Sequence, residues 1–248
     1  MCLIVFAWRP GHSHPLLLAA NRDEFYARPS LPLAEWTDAP GVFAGRDLEA
    51  GGTWLGIGPQ RRFAALTNIR APGQPAGLRS RGELPAAFLR GELTPQAYLQ
   101  DLGERLEAYA GFNLLVGDDR QLWHLNSRSG QATALSSGVY GLSNAGLDTP
   151  WPKVQRAKSA LQQCLDDPQP GRLIELLADN SLPMDSALPD TGVGLATERL
   201  LASVFINSQS YGTRASSALT VNADGSWQLI ERSYGPYGAH LGEVSIER

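Results

Sequence analysis

The sequence predicts an α+β protein of αββα type, a pair of sheets covered by helices, and three observations carry that prediction. Short apolar runs of strand character gather towards both ends of the chain. Two blocks of helical periodicity lie between them. A length of 248 residues at 43% hydrophobic and 19% charged content is that of an ordinary folded chain able to bury a sizeable core. A strand face and a helix stripe must each bury against another element, and segregated strands and helices do so in layers. A single domain over residues 1–248 is expected, with no internal repeat or low-complexity tract.

The elements follow in order. CLIVFAW and PLLLAA, joined by RPGHSH with its Pro10 and Gly11, read as a buried hairpin. The polar run Asn21, Arg22, Asp23 and Glu24 stands where the second apolar run ends and reads as a loop after that strand. GGTWLGIG (51–58) and RFAALTNIR (62–70) form a second strand pair, with Pro59 and Gln60 in the tight connection. Ser80 and Glu83 have capping-box spacing before LPAAFLR, while Thr94 and Pro95 start a helix whose Leu99, Leu102 and Leu106 recur on one face. GFNLLVG, QLWHLNS, QATALS and GVYGLSN are four further strand-like pieces. Thr149 and Pro150 introduce a helix that places Val154, Ala157, Leu161 and Cys164 on one face, which makes Cys164 a core residue. GRLIELLA is another helix after Pro168 and Pro170, residues 181–195 form a long loop, and SVFINS and SSALTVNADGSWQLIERSYG close the chain as strands with a turn at Asp224 and Gly225.

Several function classes are excluded by composition and spacing. The net charge of −4 and the scattered arginines leave no basic field for nucleic acid, and the preference for Arg over Lys reads as a compositional bias. Cys2 and Cys164 form neither a disulfide framework nor a metal-ligand spacing, which favours a reducing compartment. MCLIVFAWRP lacks a basic leader region and is broken by Arg9 and Pro10, so it is not read as a signal peptide. No apolar stretch approaches the roughly 20 residues that span a bilayer, so a cytoplasmic protein without a transmembrane segment is expected. Dinucleotide-binding, phosphate-loop and zinc-protease motifs are absent. His12 and His14 share a turn, His124 sits in an alternating strand on either face, and His240 is remote, so no metal site is expected.

Cys2 admits two readings. It is the first apolar residue of a buried strand, and cysteine is among the most buried residue types. It also follows Met1, and removal of Met1 leaves one residue carrying both a thiol and a free α-amine. With unperturbed pKa values of about 7.7–8.0 and about 8.5, the amine takes the thiol proton near neutral pH and the thiolate attacks a carbonyl. A retained Met1 removes that amine. Antiparallel pairing returns residues 21–24 beside Cys2. There Asp23 orients the α-ammonium, and Arg22 lowers the thiol pKa or grips an anionic substrate group. The alternative for the run is an exposed charged turn.

MC at the start, NRDEF, GGTWLG, ALTN, SRG, GLSN and YGTRAS together resemble the NRDE family, which includes the transport-and-Golgi-organisation proteins, from Cys2 to about Ser217. That family is similar in turn to N-terminal-nucleophile hydrolases of the cysteine branch, with its bile-salt hydrolases and penicillin V acylases. The resemblance implies a four-layer αββα sandwich. It also implies roles: Cys2 as nucleophile, Asp23 as its orienter, Asn144 of GLSN as an oxyanion-hole donor, Arg214 of YGTR as the late active-site arginine, and Asn68 of ALTN as a second oxyanion donor. One departure is Ala20, where these hydrolases carry an arginine three residues before the aspartate.

The function so implied is a cysteine amidohydrolase acting on an acyl amide or related small amphipathic substrate, with no cofactor required. The rival from the same resemblance is a non-enzymatic carrier of haem, acyl-CoA or lipid in the same pocket, with haem as cargo. Asn21, Arg22, Glu24, Trp54 and Arg81 would line it, the arginines meeting carboxylates or phosphates and Trp54 covering an apolar part. For haem, Cys2 or a histidine is the candidate axial ligand. GGTWLG and SRG also have structural explanations, as a glycine-loosened strand entry with a core Trp54 and as a helix cap, while Gly51 and Gly52 alternatively permit close backbone approach to a ligand.

Overall fold

The apolar heptapeptide Cys2–Trp8 is strand β1 of a computed structural model that describes residues 2–73 and 77–248. By compactness the chain divides into two units. The first comprises the chain up to Ala27, Arg70–Pro72 and Ser137–Arg248; the second comprises Arg28–Ile69 and Gly73–Ser136.

In the first unit, β1 and β2 (Leu16–Phe25) form the hairpin read from the sequence, and later segments flank it: β10 (Gly138–Leu142), β11 (Tyr211–Val221), β12 (Trp227–Tyr234) and β13 (His240–Glu247). The antiparallel order β10-β1-β2-β11-β12-β13 puts the hairpin inside the sheet, with β1 buried at every residue. Leu3, Val5 and Ala7 share one face with Leu17 and Ala19. That face packs under Val154, Ala157 and Leu161 of α3 (Pro152–Gln162), Cys164 just beyond it, and Leu173 and Ile174 of α4 (Pro170–Glu175). Each valine, leucine or isoleucine among them contributes about 1.5–3 kcal/mol by leaving water. The helix α3 begins at Pro152, whose missing N–H suits the first helical turn, and not at Pro150.

One expected strand is absent from this unit, and one strand present in it was not expected. SVFINS (203–208) is not a strand: the Phe205 N–H donates to Asp179 O at 2.8 Å and the Thr213 N–H to Ile206 O at 2.9 Å, so its backbone is satisfied irregularly. The strand β13 was not anticipated, because it is an edge strand with exposed and half-exposed residues alternating and no apolar run.

The second unit is a seven-stranded antiparallel meander: β3 (Ser30–Trp36), β4 (Ala39–Asp47), β5 (Leu55–Ile57), β6 (Phe63–Asn68), β7 (Phe112–Gly117), β8 (Leu122–Asn126) and β9 (Gln131–Ala134). Its core joins Leu84, Phe88 and Leu89 of α1 (Glu83–Arg90) and Leu99 and Leu102 of α2 (Pro95–Gly103) to Leu66, Leu114 and Val116. Thr94 caps α2 as expected, its hydroxyl accepting the Ala97 N–H at 3.2 Å. The capping box at α1 does not form: Gly82 is the N-cap and has no side chain to offer. Gly52 and Gly82 explain one another instead. A Cβ on Gly52 would lie 2.3 Å from the Gly82 carbonyl, and the Thr53 N–H donates to Gly82 O at 3.0 Å. The close backbone approach that GGTWLG permits is therefore to the SRG segment of the same unit.

Candidate active site

The four polar residues are not a loop. β1 ends at Cys2, paired with Arg22, while β2 runs on to Phe25 with β11 as its partner: Asp23 opposite Thr213, Glu24 opposite Gly212, Phe25 opposite Tyr211. The strand persists because β11 supplies the ladder that β1 no longer does, and the polar side chains stand where the sheet loses one neighbour. Between Thr213 and Ala215 the register shifts, so Arg214 is the extra residue of a β-bulge, a device that redirects a side chain.

The Cys2 side chain is buried, with the Asp23 backbone N–H beside it. Burial pushes the thiol pKa up and the charge of Asp23 adds to this, against the opposing pull of Arg22 and that N–H. A thiol so placed rests protonated at neutral pH. Asp23 is 1% exposed, and its Oδ1 accepts from the Thr213 hydroxyl at 2.8 Å. Burial raises its pKa too, while Lys153, the Thr213 hydrogen bond and Arg70 hold it down. The Tyr211 hydroxyl donates to Asp23 O at 3.1 Å, and burial, with the charge of Asp23 next, raises that phenol far above its usual range.

The pairing of Ile4 with Leu142 carries Ser143 and Asn144 to the end of β1. The Ser143 hydroxyl lies 3.0 Å from Cys2 O and 3.2 Å from Asn144 Oδ1, and the Asn144 carbonyl accepts the Arg70 N–H at 2.8 Å. Thus Cys2, Asp23 and Asn144 meet at one edge of the first unit. Arg214 lies half-buried nearby, its guanidinium 3.4 Å from Phe25 O. Arg22 is half-buried, and Glu24 folds back to accept the Phe25 N–H at 2.8 Å. Asn21, expected at a ligand, holds the fold together instead: its amide donates to Leu177 O at 3.0 Å and Val204 O at 2.9 Å and accepts from the Ser216 hydroxyl at 2.6 Å.

The remaining expected residues belong to the second unit. Asn68 ends β6 opposite Phe112, Trp54 is buried just before β5, and the Arg81 guanidinium donates to Gly111 O at 3.1 Å. Met1, on whose removal the α-amine depends, lies outside the described residues.

Three charged residues beside Cys2 and Asp23 were missed. Arg70 forms an ion pair with Glu198 at 2.5 Å, both side chains 4% exposed, and stacks on Trp151 at 4.8 Å from the ring centroid. Lys153, second residue of α3, is 3% exposed, and its Nζ has no hydrogen-bond partner among the described residues. Burial lowers its pKa to about 8, with Asp23 foremost among the groups pulling it back up. A signal was present: the chain has two lysines, Lys153 and Lys158, among 21 basic residues.

The first strand, which carries Cys2, is inserted between later strands and abuts a buried carboxylate, an arrangement like that of the N-terminal-nucleophile hydrolase fold. The structural comparison agrees. An N-acylethanolamine-hydrolyzing acid amidase ortholog of Caenorhabditis elegans aligns with a TM-score of 0.53 at 10% identity, over 88% of this chain and 92% of that one, a likeness of fold. The profile of the family described as Transport and Golgi organisation 2 matches residues 1–236, and the chain belongs to that family. It is 36% identical to the Transport and Golgi organization protein 2 homolog of Bos taurus and 34% identical to that of Homo sapiens, each over 94% of this chain and 93% of the relative. The Drosophila melanogaster protein is 28% identical over 94% of this chain and 92% of its own length.

Proposed function

We propose that the chain is a cysteine hydrolase of the N-terminal-nucleophile type, acting on an acyl amide of a small amphipathic molecule. The observation that carries the reading is Cys2 at the end of a buried strand, opposite Arg22 and beside the buried Asp23 carboxylate. In this reading the thiol loses its proton to an adjacent amine and attacks the amide carbonyl. The tetrahedral oxyanion is met by the Asn144 amide, a positioned donor in a dry site. Collapse expels the amine, which takes the proton, and water then cleaves the thioester and restores the thiol. Arg22 and Arg214 meet anionic parts of the substrate. The fold neighbour's own activity on N-acylethanolamines makes fatty-acyl ethanolamides the first substrates to assay.

The test joins mass and turnover. Protein that hydrolyses an acyl ethanolamide should have an intact mass beginning at Cys2, and Cys2→Ser should lose at least a hundredfold in rate while keeping its circular dichroism. Saturable binding of acyl-CoA or haem without turnover, by protein shown to lack Met1, would overturn the hydrolase reading in favour of a carrier.

A further inference from the structure

Lys153 is a buried charge whose Nζ has no hydrogen-bond acceptor among the described residues. An ammonium removed from water without such a partner is strongly disfavoured. Its place in the first turn of α3 adds to the cost, because the positive end of the helix dipole lies there. Helix side chains lean back towards the N-terminus, so Lys153 extends past the start of α3. That helix packs on β1 and β10, the strands that carry Cys2 and lead to Asn144.

The charged and titratable groups that act on Lys153 include Asp23 of β2, Cys2 of β1, Arg70 of the connecting segment and Glu198 of α5 (Leu195–Leu200). Arg70 is committed to Glu198. The remaining anion is the Asp23 carboxylate, and a second appears whenever the Cys2 thiol ionises. Two buried anions side by side repel, so each raises the pKa of the other unless a cation stands by.

We propose that Lys153 is a positioning residue of this site, its ammonium being the counter-charge that keeps Asp23 ionised and makes room for the Cys2 thiolate. The proposal rests on the reading of Cys2 as the reacting group. It places the cation on α3, so the effect persists whether or not Met1 is removed.

The experiment measures alkylation of Cys2 by iodoacetamide against pH, read at the Cys2 peptide by mass spectrometry, with the core residue Cys164 reporting global opening. Lys153→Met should raise the titration midpoint of Cys2 by a unit or more, which slows its alkylation at pH 7.5 about tenfold. Lys153→Arg should stay within threefold of the unaltered chain. A folded Lys153→Met protein with an unchanged midpoint overturns the proposal.

Should Lys153→Met fail to fold, the unaltered chain still decides. With 13C-labelled lysine it gives two side-chain signals, and Lys158, ion-paired to Asp148 at 2.8 Å and partly exposed, is the internal control. The Lys153 signal should titrate near pH 8. In Asp23→Asn its midpoint should fall by a unit or more while Lys158 stays put; a Lys153 midpoint indifferent to Asp23 overturns the proposal. These readouts need no turnover. Coupled titrations in a protein that hydrolyses no acyl amide sustain the role of Lys153 and sink the hydrolase reading alone.

Discussion

At the scale of single residues the site is governed by the cost of burying charge. Lys153 holds its proton less tightly in the fold than in the unfolded chain, with a pKa lowered from 10.5 to about 8. Between those values the unfolded chain binds more protons, so the stability contributed by this residue rises with pH; below about 8 the fold carries the full cost, on the order of 3 kcal/mol. Urea denaturation of the unaltered chain and of Lys153→Met, under reducing conditions at both ends of that window, should show the difference moving in favour of the lysine by about that amount. A flat difference would mean that the ammonium is solvated. Thr213 is a second such point. Its hydroxyl donates to Asp23 Oδ1 at 2.8 Å and accepts the Ile206 N–H at 2.9 Å. Thr213→Val keeps the shape and strands both partners, so it should cost about 1–3 kcal/mol in the same measurement, with Thr213→Ser recovering most of it.

At the scale of elements, β7 and β8 of the second unit carry a buried histidine network. His124 Nε2 lies 3.2 Å from Asn113 Oδ1, which also accepts from the Asn126 amide at 3.0 Å, and burial lowers the pKa of His124 to about 4. The sign is that of a group kept neutral by the fold. From pH 6.5 down to about 4 the unfolded chain takes up the proton and the folded chain does not, so stability falls on acidification by about 3 kcal/mol. His124→Gln should remove that slope in denaturation midpoints measured between pH 7 and 4.

What could be read from the sequence at this scale follows the same physics. Strands buried along their length, such as β1 and β7, announce themselves as apolar runs. The hairpin β3–β4 does not: it contains Pro32 and Pro40, its register shifts twice, and its burial follows no period of two. Proline and irregular register are tolerated there because β3 is an edge strand, and the same tolerance hides it. Asn21 to Phe25 were hidden for the opposite reason, since a polar sequence is held as strand by β11, almost 190 residues away.

At the scale of the molecule, the first unit is assembled from both ends of the chain, and this decides which parts of the site were legible. Cys2 and Asp23 were brought together by a local hairpin, which sequence spacing can reveal. Lys153, Thr213, Arg70 and Glu198 arrive by pairings across 45 to about 190 residues that no local pattern encodes. The dependence on distant strands has a measurable consequence. β2 pairs with β11 from Leu16 opposite Val221 to Phe25 opposite Tyr211, so a chain ending at residue 208 leaves one whole edge of β2 without its ladder and Asp23 without Thr213. An inner strand so exposed loses its backbone partners as well as its packing. Cys2 and Cys164 report on this from within one unit, the first at the site and the second in the helix-covered core, being 7% and 5% exposed in the intact fold. Both should react slowly with a thiol reagent in the full chain and at the rate of a free thiol in the truncated one. Protection of Cys164 alone would show that the helix layer forms on β1 and β2 without β11; protection of both would show that the site needs no contribution from the C-terminal strands.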